Sequence, residues 1–251
     1  MLCERVFRPL AHLVVLALLP LRVPPPAVVA AAGLAGFAGA VELARGQLVA
    51  AALLVQLKTV LDNADGQLAR LSGRTSAFGR YLDSEMDLLV NAALFAGLGA
   101  YTGRWVAAVA GFVALTAVLS VNFNVERLYR AERGGDGRPM PDAEGRATAL
   151  LRRAYELVYA PQDRLVERVV ERRLRGLPPA ARVAYHDRAT VAVMANLGMS
   201  TQLAVFGLCL VLGRPSTFVW IVLAELGLVA ALALRRELRL RGSVHRPEEA
   251  L

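Results

Sequence analysis

The sequence predicts an all-α fold, an integral membrane bundle of six transmembrane helices with an interfacial N-terminal helix and a long cytoplasmic loop that carries a helix of its own. Three observations lead there. More than half of the 251 residues are hydrophobic (56%), and the mean hydropathy is +0.45. The apolar residues arrive in blocks of about 20, the length that crosses ~30 Å of hydrocarbon. The blocks are separated by Arg-Gly and Gly-Arg turns rather than by the alternating patterns of strands.

Taken in order, residues 1–25 carry Arg5, Arg8 and Arg22 around Val6, Phe7, Leu10 and a Leu/Val run, which suits a helix lying in the interface and is short for a span. The run Leu10–Leu21 contains His12 and lacks a small-residue cleavage site, so no cleavable signal peptide is expected. Pro24 and Pro25 cannot continue a helix, but Pro26 can open one, giving a first span Pro26–Leu43. Arg45-Gly46 turns the chain into a second span, Gln47–Leu71. A polar loop, Ser72–Ser76, leads to a third, Phe78–Tyr101, and Thr102-Gly103-Arg104 leads to a fourth, Val106–Phe123. Residues 131–186 form the long Arg-rich loop, with a Gly/Pro linker at Gly134–Pro141 and a surface helix at Leu150–Leu174. Two further spans, Ala189–Leu212 and Ser216–Leu234, flank a turn at Gly213-Arg214-Pro215, and the whole of 1–251 reads as one membrane domain. Cys3 and Cys209 are isolated and lack metal-ligand spacing.

On this topology only Arg45, Arg104 and Arg214 of the 29 Lys and Arg face the far side. Cytoplasmic loops collect basic residues, so the side holding Asp62–Asp87, and with it the active site, the long loop and the tail Arg235–Arg246, is expected in the cytoplasm, together with both termini of this multi-pass chain in the cell membrane. The net charge of +8 then points to anionic lipid and phosphorylated substrates. With no recognition motif, nucleic acid is not an expected partner.

The stretch Asp62–Asp87 sets four aspartates inside this apolar chain. Asp62, Asp65, Gly66 and Ala69 fall at i, i+3, i+4 and i+7 on one helix, and Gly79, Asp83 and Asp87 at i, i+4 and i+8 on the next. Two such stripes face to face make an acidic pocket. Carboxylates so close repel unless a cation neutralises them, and oxygen donors suit a hard divalent ion such as Mg2+. Small residues at Gly66, Ala69 and Gly79 serve close helix packing and also let a ligand approach the backbone. Arg70 is placed either to anchor the helix end or to contact phosphate.

These positions match the signature D-x-x-D-G-x-x-A-R followed by G-x-x-x-D-x-x-x-D, eight fixed residues over 26 positions, and the chain therefore resembles the CDP-alcohol phosphotransferase family. The resemblance implies a divalent-metal-dependent enzyme of phospholipid synthesis. It would transfer a phosphatidyl or other substituted phosphoryl group from a CDP-alcohol, CDP-diacylglycerol foremost, to a hydroxyl acceptor with release of CMP. It further implies Asp62, Asp65, Asp83 and Asp87 as ligands to a pair of Mg2+ or Mn2+ ions, Asp87 as the general base, nucleotide contacts at Gly66, Arg70 and Ser76, and a homodimer. One departure is visible: many relatives carry Pro-Asn-x-x-Thr before the first span, whereas Pro25 and Val28 stand here in place of Asn and Thr. For the acceptor, with inositol phosphate or glycerol phosphate favoured, Arg127, Arg130 and Arg188 could form an anion pocket or serve as membrane anchors. Asn122, Asn124, Asn196 and Gln202 are explained by interhelical hydrogen bonds, and His186-Asp187 by a surface or helix-cap role. Asp-rich helices also occur in membrane prenyltransferases. A non-catalytic cation transporter is a third reading, disfavoured because the acids cluster at one membrane face.

Overall fold

The computed structural model describes residues 2–134 and 145–244. The expected Gly/Pro linker lies, beyond Gly134, outside the described residues, as does the end of the basic tail at Arg246. Among the described residues the chain is helical, with no strand.

The N-terminal helix α1 (Leu2–Leu18) buries Phe7, Ala11 and Val15, spaced four apart, and leaves Val6, Leu10, Leu13 and Leu16 uncovered on the other side. Its buried stripe packs on α2 (Pro25–Ala44) and α3 (Leu48–Leu71) through Val28, Ala64 and Leu68. Pro25 opens α2 at a position where the missing N–H has no intrahelical partner to lose. Helix α4 (Ala77–Thr102) starts where Ser76 caps it, its Oγ accepting from the Gly79 backbone N–H at 3.1 Å. It ends at Gly103, whose φ of 68° is the left-handed conformation that closes a helix. Helix α5 (Trp105–Ala131) runs two turns past the expected end at Phe123.

Helix α2 is the buttress of the fold, because its small residues let both neighbours come close. A Cβ at Gly97 of α4 would lie 2.5 Å from the carbonyl oxygen of Ala40, and Gly33 and Gly36 of α2 receive Met86 and Val90 of α4. The main core, with Leu43, Val55, Val90, Leu94, Leu115, Phe206 and Val222, joins α2–α5 to the C-terminal helices.

The expected helix Leu150–Leu174 is two helices, α6 (Arg146–Val158) and α7 (Ala160–Leu174). Pro161 explains the break, since it supplies no N–H and its ring crowds the preceding turn. The expected fifth span is also broken. After α8 (Pro179–Tyr185), α9 (Arg188–Met194) passes through a 3-10 turn, Ala195–Leu197, to Gly198, and α10 (Met199–Val211) continues at a 44° bend. Helix α11 (Thr217–Val244) extends well beyond the expected end at Leu234.

Among the described residues, three helices, α2, α5 and α11, are long and apolar enough to cross a membrane, and the bent segment Ala181–Val211 would make a fourth. Helices α3 and α4 are as long, at 24 and 26 residues, but their adjoining ends carry charged and polar side chains. The outer surface is itself apolar, with Leu34, Val49, Leu53, Val106, Val109, Leu208 and Trp220 uncovered. So large an apolar surface on a chain of this size fits contact with lipid rather than water.

Candidate metal centre and flanking cavities

The facing ends of α3 and α4 bring the acidic stripes together. One carboxylate oxygen each from Asp62, Asp83 and Asp87 lies within 4.8 Å of the others. Asp65, one turn further along α3, is buried and stands outside that trio; its Oδ2 has no hydrogen-bond partner among the described residues. A buried carboxylate oxygen without a donor is costly in water-poor surroundings. Three converging carboxylates plus this orphaned oxygen fit a hard divalent cation, and the donor set is oxygen alone.

Lys58 is the residue that sequence reasoning missed. It is 2% exposed, and its Nζ donates to Asp62 Oδ1 at 2.8 Å and to Asp87 Oδ1. Its signal was present: Lys58 stands four residues before Asp62, on the same helical stripe.

Two cavities flank the carboxylates. The larger, about 500 Å³, lies among the start of α2, the end of α3 and the start of α4. Gly66, Ala69, Arg70, Ser76 and Gly79 all line it, with Asp65 and Asp83 on its inner wall. Arg74 and Thr75 from the polar loop and Arg80 next to Gly79 complete it. Pro25 and Val29 form an apolar wall of it, while Val28 is buried against Ala64 and Leu68 instead. The smaller cavity, about 370 Å³, lies among α4, α5 and α6, with Asp83, Asp87, Ser84 and Asn91 on one side and Thr116, Ser120 and Phe123 on another. Asp83 and Arg80 line both, so the cavities meet beside the carboxylate trio.

Helix α6 covers the smaller cavity through an aromatic cluster. Tyr155 sits edge-on to Tyr81 at 5.7 Å and stacks on Tyr159 at 5.2 Å. The Tyr159 hydroxyl donates to the Ser84 carbonyl at 3.1 Å, and the Tyr155 hydroxyl to Asp163 Oδ2 at 3.1 Å. Burial, and then the nearby Asp87, push the Tyr159 phenol above its ordinary range, so it remains a proton donor. Tyr155, Tyr159 and Asp163 were not singled out in the sequence; the i, i+4 tyrosine pair on an amphipathic helix was their one signal.

The arginines considered for an acceptor pocket lie elsewhere. Arg127 pairs with Glu167 at 2.5 Å and donates to Asn124 Oδ1 at 2.9 Å. Arg130 pairs with Glu126 one turn back, Arg188 is exposed at the start of α9, and none of the three lines either cavity. Asp187 caps α9 by accepting from the Thr190 N–H at 3.0 Å. His186 is buried against Arg236, not on the surface, with 3.1 Å between Nδ1 and Nη2. Asn124 and Gln202 make interhelical bonds, to Asp163 at 2.6 Å and Glu225 at 2.6 Å.

An all-helical fold with apolar outer faces and an acidic helix pair between two cavities defines a membrane-type protein with a candidate divalent-cation centre. The chain matches the CDP-alcohol phosphatidyltransferase family over residues 14–159 and belongs to that family, whose members are divalent-metal-dependent transferases. The matched region contains the whole acidic signature and ends at Tyr159. Over 89 residues the chain is 37% identical to the bifunctional IPC transferase and DIPP synthase of Rubrobacter xylanophilus, an alignment covering 36% of this chain and 20% of that protein. It is 39% identical over 87 residues to the protein of the same name from Thermococcus kodakarensis, covering 32% of this chain and 19% of that protein. The aligned part of the chain thus spans about a fifth of the length of these curated relatives. No solved structure matches the chain.

Proposed function

We propose that this protein transfers a substituted phosphoryl group, foremost phosphatidyl from CDP-diacylglycerol, to a hydroxyl acceptor and releases CMP. The observation that carries the reading is the meeting of two cavities at Asp83 and Arg80, beside three convergent carboxylates. One cavity suits the donor nucleotide and the other the acceptor. In the larger, Gly66, Ala69 and Gly79 leave the backbone open to a ligand, while Arg70, Arg74 and Ser76 offer donors to phosphate and ribose. Pro25 and Val29 would meet the nucleotide with apolar surface only, so base recognition there falls to backbone groups.

Asp62, Asp65, Asp83 and Asp87 are the residues that would hold Mg2+ or Mn2+. When bound, the metal neutralises charge on the diphosphate and on the departing CMP. Asp87 lines the smaller cavity and takes the proton from the acceptor hydroxyl. The acceptor oxygen forms the new bond to the alcohol-bearing phosphorus, the bond to the CMP oxygen breaks, and CMP leaves with that electron pair. Tyr155, Tyr159 and Phe123 keep bulk water from this side. Inositol phosphate and glycerol phosphate remain the favoured acceptors to test, with Arg80 in place of Arg127, Arg130 and Arg188 as the cation facing the acceptor's phosphate. The family match favours this nucleotide chemistry over a prenyltransferase or a cation transporter.

The test is CMP release by purified protein in detergent with CDP-diacylglycerol, Mg2+ and a panel of inositol phosphate, inositol, glycerol phosphate and serine. Release with one acceptor that is lost with chelator and in Asp87→Asn supports the reading and names the product. Absence of both release and donor binding would remove CDP-diacylglycerol as the donor, leaving soluble CDP-alcohols with lipid acceptors.

A further inference from the structure

Lys58 lies at the centre of the carboxylate cluster, and nothing in the transfer chemistry requires an ammonium there. Its side chain is among the largest fully buried ones in the protein. It bonds Oδ1 of Asp62 and Oδ1 of Asp87, two of the three carboxylates that converge as a cation site. A buried ammonium is tolerated only when paired, and carboxylates this close are tolerated only when neutralised. Lys58 meets the first requirement, and it meets the second in part, for Asp62 and Asp87, without a metal. The same placement works against a divalent ion, because a positive charge within hydrogen-bond distance of two prospective ligands repels the ion and competes for their oxygens.

We propose that Lys58 is the resident counter-ion of the cluster and sets its divalent-cation affinity, holding Asp62 and Asp87 together in the metal-free protein and deferring tight metal binding until a nucleoside diphosphate enters the adjoining cavity. The second half of the proposal rests on the donor reading above. A diphosphate beside Asp65 and Asp83 adds the negative charge that Lys58 withdraws from the site. Metal and donor therefore bind with positive coupling, and by linkage each strengthens the other equally.

The experiment measures Mn2+ binding to chelator-stripped protein in detergent, by the electron paramagnetic resonance of free Mn2+, with and without CDP as the probe nucleotide. The wild type is expected to bind Mn2+ weakly alone and at least ~10-fold more tightly with CDP. Lys58→Met is expected to bind Mn2+ alone at least ~10-fold more tightly than the wild type, with little further gain from CDP. In chelator the variant melts below the wild type, and the same concentration of Mn2+ raises its Tm by more than it raises that of the wild type, as tighter binding to the folded state requires. Equal Mn2+ affinity in the two proteins overturns the proposal, and so does a wild type that binds Mn2+ tightly without nucleotide, a result that needs no variant to fold. If Lys58→Met gains Mn2+ affinity while CDP alters neither protein, the counter-ion role stands and the CDP-alcohol reading fails.

Discussion

Asp87 carries the heaviest demand at the level of single residues, since it is both a member of the carboxylate trio and the acid that faces the smaller cavity. Asp87→Asn keeps the shape of the side chain and removes its capacity to accept the acceptor's proton. General-base contributions run to ~10²–10⁴-fold, so CMP release is expected to fall by at least ~10²-fold while the protein still folds, which a melting curve checks. Tyr159 gives a milder test of the cavity wall. Tyr159→Phe leaves the stacking on Tyr155 in place and removes the hydrogen bond to the Ser84 carbonyl, at a cost of about 1 kcal/mol in stability. Its effect should be read in acceptor KM, because the hydroxyl stands beside the cavity proposed for the acceptor. Donor KM unchanged and acceptor KM raised is the expected pair. The reverse would place α6 over the wrong substrate.

Elements explain why these side chains meet. The ends of α3 and α4 face one another because α2 fits closely against both, and at Gly97 and Ala40 the fit is against backbone. A Cβ there cannot be relieved by rotating a side chain. Gly97→Ala is expected to lower stability by ~1–3 kcal/mol, visible as a reduced Tm in detergent, although it lies several turns from the carboxylates. The helical stripes of the acidic signature were legible because period and spacing are local: Asp62, Asp83 and Asp87 converge, and Gly66, Ala69, Arg70, Ser76 and Gly79 share one cavity wall. What was illegible depended on contacts distant in sequence. Tyr159 reaches Ser84 across 75 positions, and only tertiary structure shows that α6 lies over the site. Arg127 and Arg130 show the same limit, since only the fold reveals that each is paired, with Glu167 and Glu126. Lys58 needed no long-range information. It sits on the same helical stripe as Asp62, one turn before it.

At the scale of the whole molecule, six membrane crossings require α3, α4 and the bent segment through Gly198 to span along with the three helices that are apolar enough by themselves. The charge pattern makes this testable. Left-handed glycines follow α2, α3, α4 and α10 at Gly46, Gly73, Gly103 and Gly213, and the arginines beside Gly46, Gly103 and Gly213 are the three assigned to the far side. Charged groups in α3 and α4 do not forbid crossing, because they gather at adjoining ends where they pair with each other or line a cavity, the condition under which ionisable groups persist at a membrane. Single cysteines at positions 46, 103 and 213, in a background lacking Cys3 and Cys209, are therefore expected to react with a membrane-impermeant maleimide added outside intact cells. Cysteines at 73 and 176 are expected to react only after the membrane is opened. A four-span chain in which α3 and α4 stay on one side would put 46 and 103 on the same side as 73. The labelling of 73 against 103 thus decides between the two topologies, and with them the side of the membrane on which the cavity proposed for the nucleotide, lined by Arg74 and Ser76 of that same loop, opens.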